Sequence, residues 1–131
     1  MPRGYRWCKG RRKYGRGRPC FYRKISRLPK SKRFIPVDSE HIPSQKIPSE
    51  KDNSNPPIYI YLDELEAMRL VDSEKLTQDE AGSLMGISRG SIWRLLQSGR
   101  KKLITAIFEK REIRIPFESL EKIDETQPST I

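Results

Sequence analysis

Residues 77–102 read TQDEAGSLMGISRGSIWRLLQSGRKK, and this stretch decides the fold. Thr77 and Glu80 have the spacing of a helix capping box, and Gly86 suits the left-handed end of a helix. Ser88 then provides a good N-cap for another helix. The sequence therefore predicts two helices joined by a short turn around Gly86.

A short turn containing glycine between two helices is the helix-turn-helix arrangement. It needs a small residue in the first helix and a glycine at the turn four residues later, and Gly82 and Gly86 occupy those positions. It also needs apolar residues on both sides of the turn, which are Ala81, Met85, Ile87, Ile92 and Leu95. We therefore expect a helix-turn-helix, with a hairpin that only builds a core as the alternative.

The helix after the turn, predicted from Arg89 to about Phe108, has an apolar and a basic side. Gly99 in it is interpreted as a place where another helix approaches closely. Residues 88–102 include five bases and no acid, whereas residues 63–80 carry seven acids and two bases. Such a helix suits the DNA major groove, with the acids left in solvent. Its predicted inward residues, at spacings of three and four, are Ile92, Leu95, Leu96, Gly99, Leu103 and Ile107.

The outer side of this helix carries the candidate DNA contacts. Backbone N–H groups at a helix start favour a phosphate, arginine pairs well with guanine, and glutamine pairs well with adenine. Trp93 is left open between a sugar-phosphate contact and packing on the first helix. The candidates for the major groove are Ser88, Arg89, Gly90, Ser91, Trp93, Arg94 and Gln97, and those for the DNA backbone are Thr77, Arg100, Lys101 and Lys102.

The predicted folded domain spans residues 58–115 and is all-α, with three helices. Its first helix runs from Asp63 to Asp72, and Asp63 and Glu66 have capping-box spacing. Two flanking segments are each either a short strand or an extended piece of chain, namely Ile58–Leu62 and Ile113–Ile115.

The net charge of +10 is concentrated at the N-terminus. Residues 1–37 carry 14 Lys and Arg and no acid, whereas the other 94 residues carry 13 bases and 17 acids. The sequence predicts a disordered basic arm at 1–35, a Pro- and Ser-rich linker at 36–57 and a flexible tail at 116–131.

The predicted arm interleaves its bases with aromatic residues, which favours nucleic-acid contact over a merely solvated tail. Its segment GRGRP, at residues 15–19, is typical of an AT-hook, in which arginines enter a narrow minor groove. A nonspecific phosphate-binding tail is the alternative. The arm candidates are Arg11, Arg12, Lys13, Arg16 and Arg18.

Groups for catalysis or metal binding are scarce. Eleven residues lie between Cys8 and Cys20, so the close cysteine pair of a structural zinc site is missing, and His41 lies in the linker. We expect no enzyme, no cofactor and no metal within one chain, while a metal shared between two chains stays open. Two cysteines cannot form a disulfide scaffold, and no apolar run is long enough to span a membrane. These features favour a cytoplasmic, nucleoid-associated protein without a membrane partner.

A family resemblance rests on three segments of the chain: Tyr61–Leu70, Leu76–Ala81 and Met85–Leu96. These segments closely resemble domain-of-unknown-function family 134, also known as uncharacterised protein family 0251. This prokaryotic family has a helix-turn-helix similar to the fourth region of bacterial sigma factors. The resemblance implies a DNA-binding protein that regulates transcription, with the helix from Ser88 onward as the recognition helix. The chain is poorer in cysteine near its start than many members and has a longer linker.

The leading hypothesis is a sequence-specific regulator that binds double-stranded DNA. An RNA polymerase contact through the acidic first helix is one alternative. An RNA-binding protein is another, because basic arms with aromatic residues stack on single strands. A homodimer stays open, since one small helix-turn-helix reads few base pairs, although no heptad pattern is present.

Overall fold

The protein is described from a computed structural model, which covers residues 4–8, 22–37, 55–118 and 120–122. Four short strands precede the helices: β1 (Tyr5–Trp7), β2 (Arg23–Ile25), β3 (Arg33–Phe34) and β4 (Ile58–Tyr59). The helices are α1 (Leu62–Met68), α2 (Gln78–Met85) and α3 (Arg89–Phe108). Two further strands follow them: β5 (Ile113–Arg114) and β6 (Leu120–Lys122).

The fold is mixed α/β, so the prediction of an all-α domain is wrong. The strands β2, β1 and β6 form one antiparallel sheet in that order. The other sheet has the order β3, β5, β4, in which β5 is antiparallel to β3 and parallel to β4. The strands β4 and β5 lie within Ile58–Leu62 and Ile113–Ile115, so the strand alternative is confirmed for both segments. The other four strands were not predicted. A strand of two or three residues carries little periodicity, and Tyr5 of β1 pairs with Lys122, which lies far along the chain.

The prediction of a disordered N-terminal arm is wrong for the residues that form β1, β2 and β3. Trp7 is 2% exposed and Ile25 is 1% exposed, so both belong to the core. The Trp7 ring lies 5.9 Å from the ring of Tyr61, at the start of α1. In β1, exposed Arg6 precedes buried Trp7, as expected for a strand with one face on the core. These N-terminal strands complete the core of the helical domain.

The main core lies where the three helices meet the first sheet. Each helix contributes small or aliphatic side chains to it, in agreement with the predicted helical periodicity. A smaller cluster beneath the second sheet contains Ile58, Ile60 and Ala106. The buried residues of the main core are Trp7, Ile25, Leu62, Ala67, Leu70, Ala81, Met85, Ile92, Leu96 and Ile115.

The first helix begins at Leu62, one residue earlier than predicted, and its cap differs from the predicted one. Tyr61 is the N-cap residue, and its backbone N–H donates to the Glu64 carboxylate over 2.9 Å. After Met68 the chain continues as a π-helical segment, Arg69–Ser73, so the helical region extends one residue past its predicted end.

The acids of α1 are not left in solvent, which corrects a second expectation. Asp63 and Glu66 are buried, and each pairs with an arginine. The carboxylate of Asp63 lies 3.3 Å from the Arg23 guanidinium, and that of Glu66 lies 2.9 Å from the Arg69 guanidinium. Burial of a carboxylate is tolerated when it is paired and hydrogen-bonded, and Arg23 reaches Asp63 only through the tertiary fold.

A buried carboxylate outside α1, that of Glu112, anchors the second sheet. It accepts hydrogen bonds from Arg33 and from Arg114, the latter over 2.9 Å. The hydrogen bonds from Arg114 and then from Arg33 hold the pKa of Glu112 below its ordinary value of 4.5. The ionised carboxylate is therefore the form that stabilises the fold.

Replacing Glu112 with glutamine is expected to lower the free energy of unfolding by about 1–2 kcal/mol at pH 7, because charge-assisted hydrogen bonds are lost. Since the pKa of Glu112 is lowered by folding, its stabilisation is present above 4.5 and is lost as the pH falls through the folded-state pKa. Urea denaturation at pH 7 and pH 3 should show a smaller difference in the free energy of unfolding between the two proteins at pH 3. Glu118→Gln, at an exposed position, is the control. A difference that stays constant between the two pH values would contradict this assignment.

Candidate nucleic-acid interface

Helix α2 begins and ends at the residues that the sequence predicted. The Thr77 hydroxyl accepts a hydrogen bond from the backbone N–H of Glu80 over 3.1 Å. The Glu80 carboxylate accepts one from the backbone N–H of Thr77 over 2.8 Å, which completes the capping box. Gly86 ends the helix with φ 74° and ψ 31°, in the left-handed region that favours glycine.

Gly82 is needed because the turn folds back against α2. A Cβ atom at Gly82 would lie 2.7 Å from the backbone oxygen of Ile87. The backbone N–H of Ile87 also donates to the Gly82 oxygen over 3.0 Å. The predicted small residue is therefore confirmed, but the group that requires it is the turn backbone, rather than the crossing helix.

Helix α3 follows the turn and packs on α1 along one side. The Ser88 hydroxyl caps it by accepting a hydrogen bond from the backbone N–H of Ser91 over 3.1 Å. Ile92 and Leu96 are fully buried. A Cβ atom at Gly99 would lie 2.7 Å from the Cε atom of Met68, which confirms a close approach of α1 at that glycine.

The inward side of α3 ends earlier than predicted. Leu103 and Ile107 are exposed, so their predicted inward positions are wrong. Ala106 is buried in the smaller core instead. Five of the six residues at 103–108 are apolar, and they surround the helix, so they cannot all face one core. This run of apolar residues around the whole helix was the signal in the sequence that some of them would be exposed, and the prediction missed it.

The opposite side of α3 forms the basic face, which combines arginine and lysine side chains with one tryptophan and one glutamine. Trp93 is 53% exposed, so it is not a core residue. Thr77 and Ser88 are exposed as well, while Ser91 is half-buried and its hydroxyl is bonded to that of Ser88. All seven residues of the basic face are exposed: Arg89, Gly90, Trp93, Arg94, Gln97, Arg100 and Lys101.

Two bases further along α3 pair with acids of the preceding helical region. The guanidinium of Arg100 lies 2.6 Å from the Asp72 carboxylate, and this hydrogen bond raises the pKa of Arg100. Lys102 turns towards α1, where its Nζ atom lies 2.9 Å from the Glu64 carboxylate. Both bases are thus already matched by a local negative charge. The positive charge offered to a polyanion is concentrated at the start of α3 and at Lys101.

The arm candidates Arg11, Arg12, Lys13, Arg16 and Arg18 lie outside the described residues, as do Cys20 and His41. Cys8 is buried and disulfide-bonded. In the part of the chain that the structure describes, no group of three or more His, Cys, Asp and Glu side chains could hold a metal ion. None of the described helices is long and apolar enough to cross a membrane.

Comparison with known proteins gives a consistent result. A UPF0251 protein of Pyrococcus furiosus is 43% identical over 103 residues, which cover 79% of this chain and 86% of that protein. A UPF0251 protein of Archaeoglobus fulgidus is 38% identical over 111 residues, covering 85% of this chain and 90% of the relative. No solved structure matches the chain. The model of the family "Protein of unknown function DUF134" matches residues 9–121, and the chain belongs to this family.

Proposed function

We propose that this protein binds double-stranded DNA in a sequence-specific manner and regulates transcription. In this proposal α2, its turn and α3 act as a helix-turn-helix, and the basic face of α3 enters the major groove. The observation that carries the proposal is the exposure of Arg89, Arg94 and Gln97 along one side of a helix whose other side is fixed in the core. A DNA target would place the protein at the nucleoid.

The start of α3 suits contact with a phosphate and with the neighbouring base edges. The Ser88 cap leaves other N–H groups of the first turn without intrahelical partners, and a helix start favours negative charge. Arg94 and Gln97 lie one to two turns further along the exposed side, where they can reach base edges. Thr77 and Lys101 flank this region and are suited to the DNA backbone.

An RNA polymerase contact through α1 has less support than DNA binding. Asp63, Glu64 and Glu66 are buried and paired, so they offer a partner protein little negative surface. Asp79 and Glu80 remain exposed at the start of α2, close in sequence to the basic face. The basic face, in contrast, gathers its exposed bases on one side of a single helix.

The proposal is tested by selecting bound duplexes from a random DNA pool, using the full chain at near-physiological salt. We expect one enriched sequence motif. Arg94→Ala should then weaken binding to that motif about tenfold, because loss of a base contact costs about 1.4 kcal/mol. It should also relax the base preference at one position.

Arg27→Ala is the matched control, since Arg27 is an exposed arginine outside α3. It should leave the base preference unchanged and alter only the salt dependence of binding, if it alters anything. A folded protein that enriches no motif would refute sequence-specific DNA binding. Enrichment of A·T content alone would move the function to the arm.

A further inference from the structure

The C-terminal end of α3 and the chain around β3 expose an unusual number of large apolar side chains. Phe108 alone is 83% exposed, although it is a phenylalanine within a helix. We call this surface the apolar patch, and it consists of Phe34, Ile35, Val37, Leu103, Ile104, Ile107 and Phe108.

The apolar patch is continuous. Ile104, Ile107 and Phe108 are three and four residues apart, so they lie on adjoining parts of the α3 surface. A groove of about 290 Å³ joins Ile107 to the Phe34–Val37 segment. The helix and the strand segment therefore form one surface.

The area of the apolar patch matches what a stable dimer buries. A fully exposed large apolar residue has a surface of roughly 150–200 Å². Multiplying this surface by the exposed fraction of each residue in the apolar patch gives an exposed area on the order of 600–700 Å² per chain. That is at or above the largest patch of a typical monomer, about 300–600 Å². Two copies set face to face could bury up to about 1,300 Å², which reaches the range of specific interfaces, about 1,200–2,000 Å².

We propose that the apolar patch pairs two copies of this chain about a two-fold axis. An isologous contact sets the same surface against itself, so every apolar side chain in the apolar patch meets an apolar partner. This pairing depends only on the apolar patch, and so it stands apart from the proposed DNA binding.

The pairing has a consequence for DNA that does rest on the proposed function. Arg94 and Ile107 are thirteen residues apart on α3, which is about 20 Å along the helix. Two copies joined at Ile107 would hold their Arg94 residues up to about 40 Å apart, and an angle between the two helices shortens this. One turn of DNA, about 34–36 Å, lies within that reach. The paired chains would then read two half-sites one turn apart.

The test is sedimentation velocity of the full chain without DNA, from about 1 to 100 µM. We expect a monomer–dimer equilibrium. Ile104→Glu should raise its Kd at least tenfold, because it buries a charge within an apolar contact. Leu84→Glu is the matched control, since Leu84 is 53% exposed and Ile104 is 54% exposed, and it should change the Kd less than twofold. Both substitutions are at exposed helical positions, and thermal unfolding followed by circular dichroism checks that each variant is folded.

A wild-type chain that stays monomeric at 100 µM would overturn the pairing. A dimer that Ile104→Glu does not weaken would place the interface elsewhere and would also overturn it. Duplex selection separates the two proposals. A dimer that enriches no DNA motif refutes only the DNA binding, and an enriched inverted repeat with half-sites one turn apart supports both.

Discussion

Replacing Trp7 with alanine is expected to lower the free energy of unfolding by about 3–5 kcal/mol. Trp7 is 2% exposed on β1 and packs in the main core beside the ring of Tyr61. Its removal leaves a large cavity between the first sheet and the helices. Because the free energy of unfolding of a small domain is only about 5–15 kcal/mol, this single substitution should remove a large part of it. Urea denaturation followed by circular dichroism measures the effect.

The chain provides its own control, because its other tryptophan, Trp93, is 53% exposed. Trp93→Ala should cost less than about 0.5 kcal/mol, as surface substitutions usually do. Similar losses at both positions would contradict the placement of β1 in the core.

The placement of β1 and β2 in the core also makes deletion of residues 1–35 a poor test of the basic arm, since the deletion would remove Trp7 and Ile25 from the core. Substitution of the arm bases tests the arm without this defect.

Replacing Gly82 with alanine is expected to lower the free energy of unfolding by about 2–3 kcal/mol. The new Cβ atom would lie 2.7 Å from the backbone oxygen of Ile87, and a backbone group cannot rotate away as a side chain can. Relief of this contact must shift the turn between α2 and α3. Under the proposed function, the folded variant should also bind its DNA motif more weakly, because the start of α3 is displaced.

Gly90→Ala is the matched control for this substitution. Both glycines are helical, but at Gly90 the Ser88 hydroxyl, 3.9 Å away, would be the nearest neighbour of an added Cβ atom. Alanine there should stabilise the helix by up to about 1 kcal/mol, since it has the higher helix propensity. The two variants are compared by thermal and urea unfolding, and equal effects of the same sign would refute the steric argument at Gly82.

Local sequence was a good guide to the helices and the turn. The capping box of Thr77 and Glu80, the left-handed Gly86 and the extent of α3 all depend on residues within a few positions of one another. Hydrogen bonds of this kind form inside one short segment, so the segment itself specifies them. The exposure of the basic face follows in the same way, because the helical period separates it from the buried Ile92 and Leu96.

The sequence by itself determined the family, the three helical regions and the short turn that presents the basic face. Only the tertiary structure decided that the chain is mixed α/β, that β1 and β2 enter the core, and that the acids of α1 are buried. Each of these depends on partners far apart in the chain, such as Tyr5 with Lys122 and Asp63 with Arg23. A strand of three residues has no pattern of its own, and a carboxylate shows its burial only when its partner is in place. In each case the deciding interaction joins residues that are far apart in the chain, so local periodicity could not indicate it.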